Sequence, residues 1–375
     1  MHICSMISTS LAVEALASHL QLPPTSGPFP VGTVALELVD GSRLDPLAPS
    51  PQDRELMISL FYPTDVTTSS HGNLSFAPVF SPQMAPLFDA HAGVPNGTSA
   101  SLISRSYLNA PLVNSELPIL LFGHGFGGTR LIYTSQLEEL ASHGWIIVNV
   151  DHTYDAIAVE FPDGRVVPMN LPPDAGLEFV ELSLETRAAD YKFVVDSLSD
   201  PATLKRIPGL EGGDTKLRTD AVGAFGHSVG GAASAQAMAN YSTFACGANF
   251  DGSMFGPVVQ SGLGKPFVQV AAQNHTRDND PSWAEFWENV DGFKRDFNLN
   301  GTVHVTFEDV TIYRDLLGEN LPMDEGGLYG TLPGGRLLQI ETEFMDAFFG
   351  YCLKGQDAGG LDQLLEDFPE VSVMP

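Results

Sequence analysis

Residues Ala221 to Gly231, Ala-Val-Gly-Ala-Phe-Gly-His-Ser-Val-Gly-Gly, set the tightest limit on the fold. A run of small and apolar residues stops at Gly226-His227-Ser228-Val229-Gly230, and an alanine-rich run from Ala232 to Ala239 takes over. The pattern predicts a strand, an abrupt turn and a helix, with a serine at the apex. A G-x-S-x-G turn of this kind holds a serine Oγ above the edge of a sheet. Glycines flank the serine because strand and helix pass too closely for a Cβ, and the turn strains its backbone. At the helix start the N–H of Val229 has no intrahelical acceptor and is free to meet a developing negative charge. The same pentapeptide also fits a plain glycine-rich turn whose serine caps the helix, so the rest of the chain has to decide.

Pro118 to Phe122 is a continuous apolar run of the kind a buried parallel strand shows. It opens into Gly123-His124-Gly125-Phe126-Gly127-Gly128, followed by a helical pattern from about Arg130 to His143. Trp145 to Val150 reads as a second buried strand ending at Asp151, Leu177 to Leu198 as an amphipathic helix, and Phe267 to Ala272 as a further strand. Strands alternating with helices predict the α/β class, a mostly parallel sheet wrapped on both faces. Ligands in such sheets bind at the carboxyl ends of the strands, where Phe126, Asp151 and Ser228 all fall. Upstream, Val31 to Val39 and Leu56 to Tyr62 read as an antiparallel pair, preceded by a proline-rich arm over 21–30. An irregular insertion over 63–117, with helical patterns at Met84 to His91 and Ala100 to Leu108, is either a cap over the pocket or a surface excursion. One domain over 21–375 is expected.

The glycine loop has two readings. Gly123, Gly125 and Gly128 satisfy G-x-G-x-x-G, with Asp151 where a ribose-binding acid belongs, as in a dinucleotide-binding oxidoreductase. That reading leaves a long N-terminal region unexplained and gives Ser228 no task. In the other, the glycines let backbone amides approach a reacting carbonyl, and the N–H of Phe126 is a second oxyanion donor beside Val229. A serine hydroxyl needs a histidine to take its proton and a carboxylate to orient that histidine, in the chain order serine, acid, histidine. Asp251, which closes the strand Gly247-Ala248-Asn249-Phe250, and Asp278 or Asp280 are the candidate acids; His275 and His304 are the candidate bases.

Composition sets the surroundings. Lys and Arg number 18 against 46 Asp and Glu, a net charge of −28, which argues against nucleic acid or an anionic lipid surface as the main partner. No apolar run is long enough to span a bilayer. Residues 1–20 are mildly apolar and end near Ala15-Leu16-Ala17, a weak leader segment without a basic start. Sequons at Asn73, Asn96, Asn240, Asn274 and Asn300 point towards an extracellular location. Three cysteines are too few for a disulfide framework or a Cys-based zinc site; Cys246 and Cys352 pair if Cys4 leaves with a leader, and otherwise are buried thiols.

Taken together, Leu121-Phe122-Gly123-His124-Gly125-Phe126-Gly127, Leu140-Ala141-Ser142-His143-Gly144-Trp145 and Gly226-His227-Ser228-Val229-Gly230-Gly231 resemble the platelet-activating-factor acetylhydrolases of the plasma type. Phe244-Ala245-Cys246-Gly247-Ala248-Asn249-Phe250-Asp251 and Gly301-Thr302-Val303-His304 extend the resemblance over roughly 118–320. It implies an α/β-hydrolase fold with Ser228 as nucleophile, Asp251 as acid, His304 as base, and the Phe126 and Val229 amides as the oxyanion hole. It further implies no cofactor or metal, hydrolysis of short-acyl small-molecule or lipid esters, and transient contact with a lipid surface. The sequence departs from the family at Ser253, where a tryptophan is frequent, and at Phe126, where leucine is usual, and both changes touch the pocket. His152 and Tyr154 are expected to line that pocket with Ser253 and His124, while His124 and His227 shape loops rather than do chemistry. A general carboxylesterase or polyester hydrolase, or a non-hydrolytic cyclase with the same three residues, are the remaining alternatives.

Overall fold

The computed structural model describes residues 19–66, 74–212, 215–318 and 327–374. Most of the leader segment and the sequon at Asn73 lie outside the described residues. The strands are β1 (Leu20–Gln21), β2 (Val31–Leu44), β3 (Asp53–Pro63), β4 (Phe76–Pro78), β5 (Leu102–Leu108), β6 (Pro118–Gly123) and β7 (Ile146–His152). They continue as β8 (Ala158–Glu160), β9 (Val166–Pro168), β10 (Arg218–His227), β11 (Phe244–Phe250), β12 (Phe267–Ala272), β13 (Lys294–Leu299) and β14 (Val371–Val373). The principal helices are α1 (Met84–Ala92), α2 (Thr134–Ser142), α3 (Leu177–Ser197), α4 (Val229–Asn240), α5 (Pro281–Asn289), α6 (Val310–Leu317) and α7 (Gly334–Lys354).

One sheet runs in the order β1-β5-β2-β3-β7-β6-β10-β11-β12-β13-β14, with β4 on β5; β8 and β9 form a separate hairpin. From β7 through β13 every neighbouring pair is parallel, while β2–β3, β3–β7 and β13–β14 are antiparallel. The central strands are apolar on both faces because helices cover both. Leu120, Phe122, Phe225 and Phe250 pack beneath Leu140 of α2 and Phe348 and Phe349 of α7. Ile119, Leu121 and Ala224 face the other way, onto Leu184 and Tyr191 of α3 and Ala232 and Ala235 of α4. Cys246 in β11 and Cys352 in α7 form a disulfide that ties strand to covering helix.

Register puts the site where it is. Gly123, Gly226 and Asn249 pair side by side, so β6, β10 and β11 end level at one edge of the sheet. The loops after β6, β10, β11, β12 and β13 therefore open onto one crevice.

Among the described residues, none of the insertion over 63–117 lines that crevice. Its β5 joins the sheet edge beside β2, and Phe88 of α1 stacks on Phe80 and meets the edge of Tyr313 in α6. The expected helix over Ala100 to Leu108 is a short 3-10 turn, Ser99–Ser101, followed by the strand β5. Its inward positions Leu102, Ser104 and Ser106 alternate as a strand requires, but two of them are serines, so the apolar alternation is missing from the sequence. The Ser106 hydroxyl and the Arg105 N–H instead donate to the buried carboxyl of Glu138 at 2.8 Å each.

Candidate active site

The turn between β10 and α4 is as tight as its glycines imply. A Cβ on Gly226 would lie 2.5 Å from the Gly230 backbone and 2.6 Å from the Gly123 carbonyl oxygen, so only glycine fits. Ser228 sits at φ 57°, ψ −126°, a conformation that L residues avoid. Its N–H donates to Phe250 O at 2.8 Å, which fixes the apex over the end of β11.

The next loop supplies a carboxylate. Asp251, also at positive φ (56°), accepts the Ala272 N–H on Oδ1 at 2.7 Å and faces His304 Nδ1 with Oδ2 at 2.7 Å. His304 Nε2 lies 3.1 Å from Ser228 Oγ. Burial alone would raise the Asp251 carboxyl, but hydrogen bonds from His275, His304 and the Ala272 amide outweigh it and hold the group down to about 2. Serine, imidazole and carboxylate thus stand in one hydrogen-bonded line, the geometry that proton abstraction from a hydroxyl requires.

A buried relay fixes the two loops relative to each other. Burial pushes His227 down to about 3, so its ring is neutral. Its Nε2–H donates to the His304 carbonyl at 3.0 Å, which leaves Nδ1 to accept from Tyr133 Oη at 2.9 Å. The Tyr133 oxygen then accepts the Gly125 N–H at 3.1 Å. Each group in this relay finds a partner in only one arrangement of protons.

The loop after β6 is clamped from behind. The Gly125 carbonyl oxygen receives His124 Nδ1 at 2.6 Å, the Gly128 N–H at 3.0 Å and Arg187 Nη2 at 3.4 Å. Arg187 Nη1 also donates to His124 O at 2.5 Å, and the guanidinium pairs with Asp155 at 2.5 Å and 2.7 Å. In a trans peptide the N–H points opposite to the C=O, so locking the Gly125 carbonyl aims the Phe126 N–H the other way. A Cβ on Gly125 would stand 3.3 Å from Ser228 Cβ, which measures how closely this loop approaches the serine. Val229 begins α4, where the helix leaves its N–H without an internal acceptor.

The crevice over these groups is a cavity of about 630 Å³. Phe126, Val180, Phe255 and Val303 form its apolar walls; Ser253, Asn274, Asn279 and Asp280 supply polar ones. Of the expected pocket residues, Ser253 is on the wall, with its hydroxyl donating to Asp280 Oδ2 at 2.6 Å. His124, His152 and Tyr154 are not. His124 is fully buried behind the loop. The His152 ring is held by Asp190 of α3 at 2.8 Å, and Tyr154 reaches Gln52 at 3.2 Å. α3 covers the end of β7, and its Arg187 and Asp190 draw this segment inward, a long-range pairing the local sequence does not reveal. The residues missed were Arg187 and Asp155 behind the loop after β6 and Trp283 beside His275; only the polar positions on an otherwise amphipathic α3 hinted at the first.

Asp151 is closed to a ribose. It is fully buried, accepts the Arg130 N–H at 2.6 Å and Thr129 Oγ1 at 3.1 Å, and pairs with the Arg130 guanidinium. Its position at a strand end follows from this internal pairing. Among the described residues no group of three or more His, Cys, Asp or Glu is arranged to hold a metal ion. Nor is any described helix long and apolar enough to cross a membrane.

The mostly parallel sheet with helices on both faces and the strand–serine–helix turn is an α/β-hydrolase fold, which a solved structure of a ferulic acid esterase from Streptomyces cinnamoneus shares. That structure superposes with a TM-score of 0.81 at 28% identity, over 96% of this chain and 100% of the other. The chain belongs to the family described as platelet-activating factor acetylhydrolase, isoform II, whose sequence profile it matches over residues 14–162 and 211–325. A probable 1-alkyl-2-acetylglycerophosphocholine esterase of Arthroderma benhamiae is 29% identical, over 98% of this chain and 97% of that protein. A platelet-activating factor acetylhydrolase of Cavia porcellus is 25% identical, over 78% and 70%. The chain is an ester hydrolase.

Proposed function

We propose that the protein hydrolyses short-acyl esters, acetylated or oxidised phospholipids among them, through an acyl-enzyme on Ser228. The observation that carries this reading is the line Ser228 Oγ–His304 Nε2 at 3.1 Å and His304 Nδ1–Asp251 Oδ2 at 2.7 Å. His304 Nε2 takes the Ser228 proton as Oγ adds to the ester carbonyl carbon. The Phe126 and Val229 N–H groups face the oxyanion, each contributing roughly 3 kcal/mol to its stabilisation. Collapse breaks the ester C–O bond and the leaving alcohol takes the proton from His304. A water, deprotonated by the same nitrogen, then adds to the acyl-enzyme and releases acid and free serine. Asp251 holds the imidazole with Nδ1–H towards itself throughout.

The substrate class follows the names of the fungal and guinea-pig relatives. Transient contact with lipid is supported by exposed Leu177 and Leu182, which line a groove sharing Phe255 with the cavity. An extracellular location is supported by the Cys246–Cys352 disulfide and by the exposed Asn96, Asn240, Asn274 and Asn300. Ser228→Ala should abolish turnover of p-nitrophenyl acetate in folded protein, and a fluorophosphonate should label Ser228 alone; turnover retained by the variant refutes the assignment. A broader carboxylesterase is the second reading, favoured by the ferulic acid esterase neighbour. Comparing acetyl phospholipids with aryl esters of rising acyl length separates the two.

A further inference from the structure

We propose that His275 is a second imidazole on the acid of the triad, a positioning residue held charged between Asp251 and Asp280, which orients that acid and sets the pH at which the enzyme becomes active. The proposal rests on the triad reading above.

The two oxygens of Asp251 serve two different histidines. Oδ2 faces His304 Nδ1, and Oδ1 faces His275 Nδ1 at 2.8 Å, on the side away from the serine. The other ring nitrogen of His275, Nε2, faces Asp280 Oδ2 at 2.9 Å. Asp280 is the N-cap of α5 and already accepts the Ser282 N–H at 2.9 Å, the Trp283 N–H at 3.3 Å, and the hydroxyls of Ser282 and Ser253 at 2.5 and 2.6 Å. A carboxylate receiving that many donors is an ionised acceptor. With an ionised oxygen opposite each ring nitrogen, both nitrogens must donate, and an imidazole that donates from both is the cation. The ring also lies 4.2 Å from Trp283, tilted 32°, a face suited to a positive charge. In keeping with this, the hydrogen bonds to Asp251 and Asp280 overcome burial and raise His275 to about 9.

Among the described residues, the charged and titratable groups around His275 are Asp251 at the end of β11, Asp280 at the start of α5, and Asp296 in β13. Asp296 has its own partner in Arg277 at 3.1 Å, and His304 lies across Asp251. The cluster His275, Asp251 and Asp280 carries one positive and two negative charges. Remove the positive one, and the site gains net negative charge, so the acid limb of activity moves to higher pH. Remove the negative charge at position 280 instead, and the effect reverses. His275 shares this Asp251 oxygen with the Ala272 N–H, and the two donors together keep the carboxylate from rotating away from His304.

The test is the pH profile of kcat/KM on p-nitrophenyl acetate for the wild type, His275→Gln and Asp280→Asn, with Ser228→Ala as control. Asparagine still caps a helix, so the second variant keeps α5. The acid limb should move up by about 0.5–1 pH unit in His275→Gln and down by a similar amount in Asp280→Asn, since a unit charge at this range shifts a titration by that order. A limb that stays in place in folded His275→Gln overturns the proposal. If that variant does not fold, an unmoved limb in Asp280→Asn does so. Turnover by Ser228→Ala would instead sink the triad reading itself, which keeps the two failures apart.

Discussion

Ser228 carries both the chemistry and the strain of the β10–α4 turn, and two substitutions separate them. Alanine and glycine each remove the hydroxyl and its 3.1 Å contact with His304, so both should be inactive. They differ in backbone. At φ 57°, ψ −126° a residue with a Cβ is strained by about 1–3 kcal/mol, whereas glycine adopts the conformation freely. Against this, glycine loses about 0.5–1 kcal/mol more conformational entropy on folding than alanine. The balance makes Ser228→Gly more stable than Ser228→Ala by up to about 2.5 kcal/mol. For a chain of this size 1 kcal/mol moves the melting midpoint by about 1–1.5 °C, so the glycine variant should melt higher by up to about 3 °C. Thermal unfolding followed by circular dichroism under identical conditions reads the difference directly. At an unstrained position the order is reversed, so a glycine variant melting below the alanine variant would refute the strained elbow.

Arg187→Lys keeps the charge beside Asp155 but loses the planar donor pair on the His124 and Gly125 carbonyls; kcat should fall roughly 10- to 1000-fold, bounded by the loss of one oxyanion donor, and an unchanged kcat in folded protein refutes the clamp. The disulfide closes a loop of 106 residues, for which chain entropy gives an upper limit of about 4.7 kcal/mol. Replacing Cys246 and Cys352 by serine should therefore lower the melting midpoint by up to about 6 °C, and no change would count against the linkage. Stability should also depend on pH through the site. His275 is raised from 6.5 to about 9, so its contribution is complete below about 6.5 and lost as pH rises through 9. Asp251 is depressed from 3.8 to about 2, so its contribution is present above 3.8 and lost as pH falls towards 2. Melting curves of the wild type should decline between pH 6.5 and 9, and His275→Gln should flatten that decline.

Much of the frame could be read along the chain because it rests on local rules. The continuous apolar run at Pro118 to Phe122 and the run Phe267 to Ala272, broken only by Gln269, are buried strands, and the glycines around Ser228 form a turn no larger residue permits. Where polar residues stand at inward positions, the local rule fails: β5 reads as a helix because Ser104 and Ser106, not apolar side chains, are buried there, Ser106 on Glu138 and Ser104 on the Ser106 backbone. His152 and Tyr154 read as pocket residues because they follow a strand end, and α3 turns them inward through Asp190 and Arg187.

The sequence by itself determined the α/β alternation, the serine elbow and the short set of acids and histidines able to serve it, since backbone period, glycine requirement and residue chemistry are local properties. Choosing among that set was not local. Residue patterns left both His275 and His304 open, and the family resemblance pointed to His304; the tertiary structure puts His304 beside the serine and His275 on the other oxygen of the acid, because β12 and β13 lie side by side and the loops after both reach Asp251. Such a choice depends on strand order and register, which arise from pairings between residues far apart in the chain.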